Sequence, residues 1–234
     1  MPIVHNRLVR FWGNPTEQKF DYYLASSGLL NDNDAQNLIK FGAYMIKKGL
    51  RDINKIQPYD RREGLMNWVH QYEGNALLYI GTEFLIKGIF LKKGYAINAY
   101  KDKNKNRDYV ATPIKLNRNK GKLSASKTRD LGYFIEHIDV IADFSSFDAD
   151  QQRRNGKTPP PNLDGLLSTR YRNPNHTQIF QYIRFTRNSY LHTSKHMPTF
   201  NGIYKDMAKL FDVLCRESLG KSLYQLSKLR DPIV

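Results

Sequence analysis

The sequence predicts a mainly α-helical chain, and three observations carry that prediction. Apolar residues recur at helical spacing, as in Leu38, Phe41, Met45 and Ile46, or Ile179, Ile183, Thr186 and Tyr190. Helix start and stop signals punctuate these segments, among them Asn14-Pro15, Gly28 and Lys92-Lys93-Gly94. No strand-rich region, internal repeat or heptad array is legible. With 234 residues, 40% hydrophobic and 12% aromatic, the chain is long and apolar enough to bury a core.

The elements follow in order. Asn14 caps and Pro15 enters a helix reaching about residue 27, closed by Gly28. A second helix starts near Asp34 and stops at Gly49. A third starts near Asp60, bears Leu65, Trp68, Val69 and Tyr72, and is broken or kinked at Gly74-Asn75. Residues 76–93 hold the strongest helical pattern, with Leu77, Tyr79, Ile80, Phe84, Ile86, Ile89 and Phe90, and Gly94 as C-cap. Residues 101–127 are basic and poor in apolar side chains, an exposed loop or small hairpin with Tyr109-Val110 and Ile114-Lys115-Leu116 as short strands. Ser126 or Thr128 caps a helix holding Leu131, Phe134, Ile135, Ile138 and Ile141. A breaker, Asn155-Gly156-Lys157-Thr158-Pro159-Pro160-Pro161, precedes a helix over about 176–195. Pro198 and Gly202 mark a turn before the last long helix, about 203–219. The expected division is an N-terminal helical segment, 1–74, and a helical domain, 75–234, carrying the basic insertion.

Charge narrows the partner. Thirty-seven Lys and Arg against 22 Asp and Glu leave a formal net charge of +15, which favours a polyanion, either nucleic acid or an anionic membrane surface. A membrane is disfavoured: no run reaches the roughly 18 apolar residues a spanning helix needs, and the apolar stretch 76–91 is interrupted by Glu83 and Lys87. The first residues lack the form of a signal peptide. Cys215 is the sole cysteine, which excludes an intrachain disulfide or a cysteine zinc site and predicts a small core residue in a reducing, cytoplasmic setting.

The segment with the most chemistry is Arg187-Asn188-Ser189-Tyr190-Leu191-His192. A guanidinium forks onto phosphate oxygens, an imidazole gives or takes a proton near neutral pH, and an amide orients either. That set suffices for metal-free RNA cleavage, in which the 2′-hydroxyl attacks the adjacent phosphate. From composition, Arg followed at once by Asn and five positions on by His is expected on the order of 0.03 times by chance. On an ideal helix Ile179, Ile183, Thr186 and Tyr190 form the core stripe, while Asn188, His192, Arg184 and Lys195 share the other side. Arg187 lies at the apolar edge, about 140° from His192. Such a pair converges through side-chain bending, helix distortion or a second subunit, which favours a homodimer.

This segment resembles the HEPN family of α-helical ribonucleases, whose hallmark is Arg, four to six residues, then His, often with Asn, Asp or His directly after the Arg. Two upstream stretches are similar to the family as well: 79–95, with Glu83, an apolar pair and Lys87, and Thr128-Arg129-Asp130-Leu131-Gly132, where Arg129 stands in place of a usual histidine. The resemblance covers roughly 75–220. It implies a helical bundle of the HEPN type, a metal-independent endoribonuclease without cofactor, and a homodimer with a composite site, in defence, toxin or RNA processing. In this reading Arg187 stabilises phosphate charge, His192 transfers a proton and Asn188 orients them. Glu83, Lys87 and Arg184 are second-tier candidates. Lys195, Arg170, Arg172, Lys120 and Lys122 are expected to meet RNA phosphates. Ser194 stands where antitoxin-modified members of the family carry tyrosine, so that silencing route is not implied; an activator or antitoxin stays unnamed. The alternative is a non-catalytic helical RNA-binding or scaffold protein.

Other clusters read as structural. Arg170-x5-His176 contains Pro174 and cannot be continuous helix, which leaves Arg170, Arg172 and His176 as loop or cap residues. His192 and His196 are four apart without a helical carboxylate, so no metal site is expected. His70 and His137 read as core or boundary residues, and Asp143, Asp148 and Asp150 as a solvated acidic patch.

Overall fold

Two long antiparallel helices form the spine, α1 (Asp32–Asn54) and α2 (Gly64–Lys92). The computed structural model describes residues 32–54, 64–101, 113, 122–155, 173–193 and 203–228; side chains are described for 35–53, 69–98, 113, 129–154, 173–187 and 203–228. The expected helix at 15–27, the strands at 109–110 and 114–116, and the turn at Pro198 lie outside these residues.

Along α1, Ala35, Leu38, Ile39, Ala43, Ile46, Leu50 and Ile53 are buried at three- and four-residue spacing, the mark of a one-sided helix. By contrast α2 is buried on most sides: Leu85, Ile86, Ile89, Phe90 and Leu91 are all core residues. What joins the two is a seam of small residues. A Cβ added to Gly42 would lie 2.7 Å from the Gly81 carbonyl oxygen, and one on Gly49 would lie 2.5 Å from that of Gly74. A Cβ on Gly88 would meet Ile39 N at 2.9 Å and the Ala35 carbonyl at 3.0 Å. The backbones come this close at the glycines, with the Ile39, Met45 and Ile53 side chains packed beside them.

This seam corrects two expectations. Gly49 does not end α1, which continues to Asn54; its missing Cβ serves the approach of Gly74. Nor do Gly74 and Asn75 break α2. Asn75 is buried, its Nδ2 donates to the Gln71 carbonyl (2.7 Å), and its Oδ1 accepts from the Tyr79 and Tyr204 hydroxyls (3.1 and 3.2 Å). The division expected at residue 74/75 therefore falls inside one helix, and residues from α1 share a single core cluster with Phe134, Phe180 and Phe211. The segment Val69–Lys92 is long and apolar enough to cross a membrane, but 72% of its most apolar window is packed inside the protein. It is the core helix of this fold.

Gly94 ends α2 as the sequence predicts. Its φ is +80, Gly94 N–H donates to Leu91 and Tyr95 N–H to Phe90 (2.8 Å each), the paired bonds of a Schellman closure. The chain then enters a two-stranded antiparallel hairpin, β1 (Asn98–Lys101) and β2 (Lys122–Thr128), irregular between Asn98 and Tyr100. In this ladder Lys101 lies opposite Lys122.

Helix α3 (Leu131–Glu136) is capped by Asp130, whose carboxylate accepts from Tyr133 N–H at 2.8 Å. Ser126 and Thr128, the expected caps, belong to β2. A 3₁₀ turn (Ile138–Val140) replaces the rest of the expected helix, yet Leu131, Phe134, Ile135, Ile138 and Ile141 all reach the core. Four further helices follow among the described residues: α4 (Ser145–Asn155), α5 (His176–Thr193), α6 (Ile203–Leu219) and α7 (Leu223–Leu226). The rings of Phe144, Phe180 and Phe211 meet edge to face between α4, α5 and α6. Cys215 is fully buried on α6, and burial pushes its thiol up to about 12.

A candidate phosphodiester site on α2 and α5

The side of α2 turned away from the glycine seam carries Glu83. Gly81 and Leu85 face α1, and two residues along an α-helix is a rotation of about 200°. Lys87, four residues on, donates from Nζ to Glu83 Oε1 at 2.6 Å. Arg187 on α5 donates from Nη2 to Glu83 Oε2 at 2.8 Å. One carboxylate therefore bridges two cations on two helices, one bond from each oxygen. The side chains are 18% (Glu83), 4% (Lys87) and 27% (Arg187) exposed, so Lys87 is shut in while Arg187 keeps a face toward solvent. The Lys87 ammonium also lies 5.9 Å from the Phe134 ring centre. Two cations on two helices thus share the Glu83 carboxylate.

The reason Arg187 reaches α2 lies in the pattern of α5. Ile179, Ile183 and Thr186 are fully buried, as the stripe predicts. Thr186 turns its hydroxyl back to the Tyr182 carbonyl (2.6 Å), so it makes no demand on the core around it. Arg187 follows at the edge of that stripe and pairs across to Glu83.

Arg184, one turn earlier, goes elsewhere. Its Nη1 donates to Glu136 on α3 at 3.3 Å, and its guanidinium lies over Gly132, where a Cβ would be 2.5 Å from Arg184 Cζ. Of the second-tier candidates, Glu83 and Lys87 join Arg187 and Arg184 does not. Asn188 and His192 lie on the helical backbone of α5, within His176–Thr193; their side chains are outside the described residues. Lys120, Arg170, Arg172, Ser194, Lys195 and His196 are outside as well. Lys122 opens β2, and its side chain is not described.

His176 is the first residue of α5, the helix-start option of the loop-or-cap reading. Its N–H donates to Asp148 Oδ1 (2.8 Å), its Nδ1 lies 2.6 Å from Asp148 Oδ2, and its Nε2 lies 3.3 Å from Asp139. Its ring stacks on Phe144 at 4.6 Å. Just before it, Asn175 and Gln178 form a reciprocal capping box: Gln178 N–H donates to Asn175 Oδ1 (2.8 Å) and Asn175 N–H to Gln178 Oε1 (3.0 Å). The start of the helix bearing Arg187 is thus pinned at several points.

The acidic patch is engaged rather than merely solvated. Asp143 accepts from Ser145 N–H and Oγ–H (2.9 and 2.6 Å), which holds its carboxyl below the usual range. Asp150 pairs with Arg154 at 2.6 Å. Among the described residues no group of three or more His, Cys, Asp or Glu is placed to hold a metal ion.

Two things escaped the sequence. The Asn175-Gln178 box has a legible signature, Asn-x-x-Gln before an apolar run. The Glu83–Arg187 pair has none, since 104 positions separate its members. No protein-family model, curated protein or solved structure matches this chain.

Proposed function

We propose that this protein is a metal-independent endoribonuclease that cleaves RNA by attack of a 2′-hydroxyl on the adjacent phosphorus. The observation that carries the reading is the Glu83 bridge: the arginine of the Arg-Asn-x3-His segment is held by a carboxylate on the central helix, beside a second, buried cation. A guanidinium fixed in place before substrate arrives is what charge stabilisation at a phosphorane requires, because it need not reorganise as charge develops. The +15 net charge supplies attraction for the polyanion.

In this reading His192 accepts the 2′-hydroxyl proton as that oxygen bonds to phosphorus. The 5′-oxygen leaves with its electron pair and takes a proton from a second imidazole. A homodimer supplies that second His192. The products are a 2′,3′-cyclic phosphate and a 5′-hydroxyl. Arg187 holds the non-bridging oxygens, Asn188 orients the phosphate and the imidazole, and Glu83 with Lys87 positions Arg187. A role in defence, as a toxin, or in RNA processing belongs to the same proposal.

The bridge also favours a second reading. Arg187 already has a carboxylate partner at 2.8 Å, as a purely structural arginine would, and a non-catalytic helical RNA-binding or scaffold protein fits that. One experiment separates them: cleavage of labelled RNA in EDTA by wild type, His192→Ala and Arg187→Lys. The nuclease reading expects chelator-resistant cleavage with cyclic phosphate ends, a loss on the order of a hundredfold or more in His192→Ala with RNA affinity kept, and no cut in a 2′-deoxy strand. Equal cleavage by wild type and His192→Ala would overturn it.

A further inference from the structure

Away from the Glu83 cluster, an open groove of about 1010 Å³ runs between α1, α4, α6 and α7. Its cations come from three helices: Lys47 and Arg51 on α1, Arg153 and Arg154 on α4, and Lys205 and Lys209 on α6. The lining itself carries two carboxylates, Asp150 and Asp212, while Asp52 pairs with Arg51 at 3.8 Å and buried Asp206 lies near Lys209, Arg154 and Lys205, so cations still outnumber carboxylates. Both lining carboxylates are also occupied. Asp150 takes Arg154 at 2.6 Å, and Asp212 takes Arg216 at 2.6 Å and the Leu223 N–H at 2.8 Å.

One wall carries a feature that charge alone does not explain. Tyr224 is 58% exposed, the most open large hydrophobic side chain among the described residues. Lys47 Nζ lies 4.2 Å from its ring centre and Lys228 Nζ 4.8 Å. A lone exposed tyrosine is unremarkable, but this ring lies at the rim of a cationic groove with two ammonium groups over it, and a base can take a ring face once a lysine swings from the ring to a phosphate. The helix α7 that presents it is held by a full capping box between Ser222 and Gln225, so the ring stands on an ordered support.

We infer that this groove is a binding track for single-stranded RNA, separate from the Glu83–Arg187 cluster, in which Tyr224 stacks one base while Lys47, Lys205, Lys209 and the α4 arginines follow the phosphates. The groove is open rather than enclosed, which suits a strand passing through, whereas a free nucleotide is better held by a closed pocket. The inference deepens the proposed function by locating where RNA outside the cut site is held, and it rests on that reading only for the identity of the polyanion. The groove shares no residue with the cleavage machinery.

The test uses the full chain and a fluorescein-labelled 2′-O-methyl oligouridine of about twelve nucleotides, which binds but offers no 2′-hydroxyl for cleavage. Tyr224→Ala should weaken binding on the order of tenfold, and Tyr224→Phe, which keeps the ring, should restore most of it. The double variant Lys205→Gln/Lys209→Gln should weaken binding and flatten the slope of log affinity against log salt by about 1.4, or about 0.7 per phosphate contact removed. Unfolding curves confirm that each variant is folded; all three positions carry side chains at or near the surface.

Three results would overturn the inference: unchanged affinity and salt slope in the groove variants, no binding of the strand by wild type, or displacement of the strand by equimolar uridine triphosphate, which would mark a nucleotide pocket. Since the probe cannot be cut, loss of binding in these variants stands even if the protein proves to have no nuclease activity. Equally, unchanged binding removes the track without touching the role of Arg187.

Discussion

Consider Glu83→Gln, which removes one charge from the bridge and almost no volume. Lys87 is 96% buried at the side chain and bonded to Glu83 at 2.6 Å. Taking the anion from such a pair leaves a desolvated cation, a change that costs about 3–5 kcal/mol. The amide oxygen that replaces the carboxylate still accepts a hydrogen bond, and Glu83 is itself 18% exposed, so the lower end, about 3 kcal/mol, applies. For a chain of this size about 1 kcal/mol shifts the melting temperature by 2–4 °C, so the midpoint should fall by roughly 6–12 °C. Lys87→Met is the informative companion. It removes the buried cation, keeps similar volume, and leaves Glu83 still paired with Arg187, so its cost should stay under about 1.5 kcal/mol. Thermal and urea melts followed by circular dichroism measure both. The reasoning is refuted if Glu83→Gln melts within a degree or two of wild type, or if Lys87→Met is the more damaging of the two.

Gly42→Ala should destabilise by about 1–2 kcal/mol despite alanine's higher helix propensity, because the new methyl meets the Gly81 carbonyl and the α2 backbone; urea midpoints at unchanged slope check it. Cys215 should resist iodoacetamide at neutral pH in the native protein and react on unfolding, since it is buried and its thiol is held up to about 12. The same shift has an alkaline consequence. The folded thiol keeps its proton to higher pH than the unfolded one, so its contribution is complete below about pH 9 and is lost as pH rises from about 9 to 12. Cys215→Ala should therefore show a flatter fall in stability across that window. Asp206 is buried, and burial raises its carboxyl against the pull of Gln151, Lys209, Arg154 and Lys205. A raised carboxyl likewise loses its contribution as pH rises through its folded value, so Asp206→Asn should raise stability at neutral pH relative to acidic pH, compared with wild type, in melts at the two conditions.

The helical class was legible because each long helix carries its apolar residues at helical spacing, and the closure at Gly94 because Lys92-Lys93-Gly94 has one common use. Ile179, Ile183 and Thr186 gave the inner face of α5 directly. The glycines misled. Read locally, Gly49 and Gly74-Asn75 are stop signals; in the folded chain they are the places where one backbone lies on another. A longer view contained the answer, since Ala35, Gly42 and Gly49 are seven apart, as are Gly74, Gly81 and Gly88, the repeat of a close-packed antiparallel pair. The candidate site was half legible. Glu83 and Lys87 stand out as an i,i+4 pair, and Arg187 as a charge on an apolar edge, but nothing local joins residues on different helices. The groove was invisible for the same reason, being assembled from four helices.

The seam of small residues has a mechanical consequence. At the glycine contacts one backbone bears directly on the other, so α1 and α2 act as one beam of double thickness. Glu83 stands on that beam directly behind the Gly42–Gly81 contact. Amide exchange should report the same stiffness: protection along α1 and the facing stretch of α2 should be lost together, in one cooperative opening.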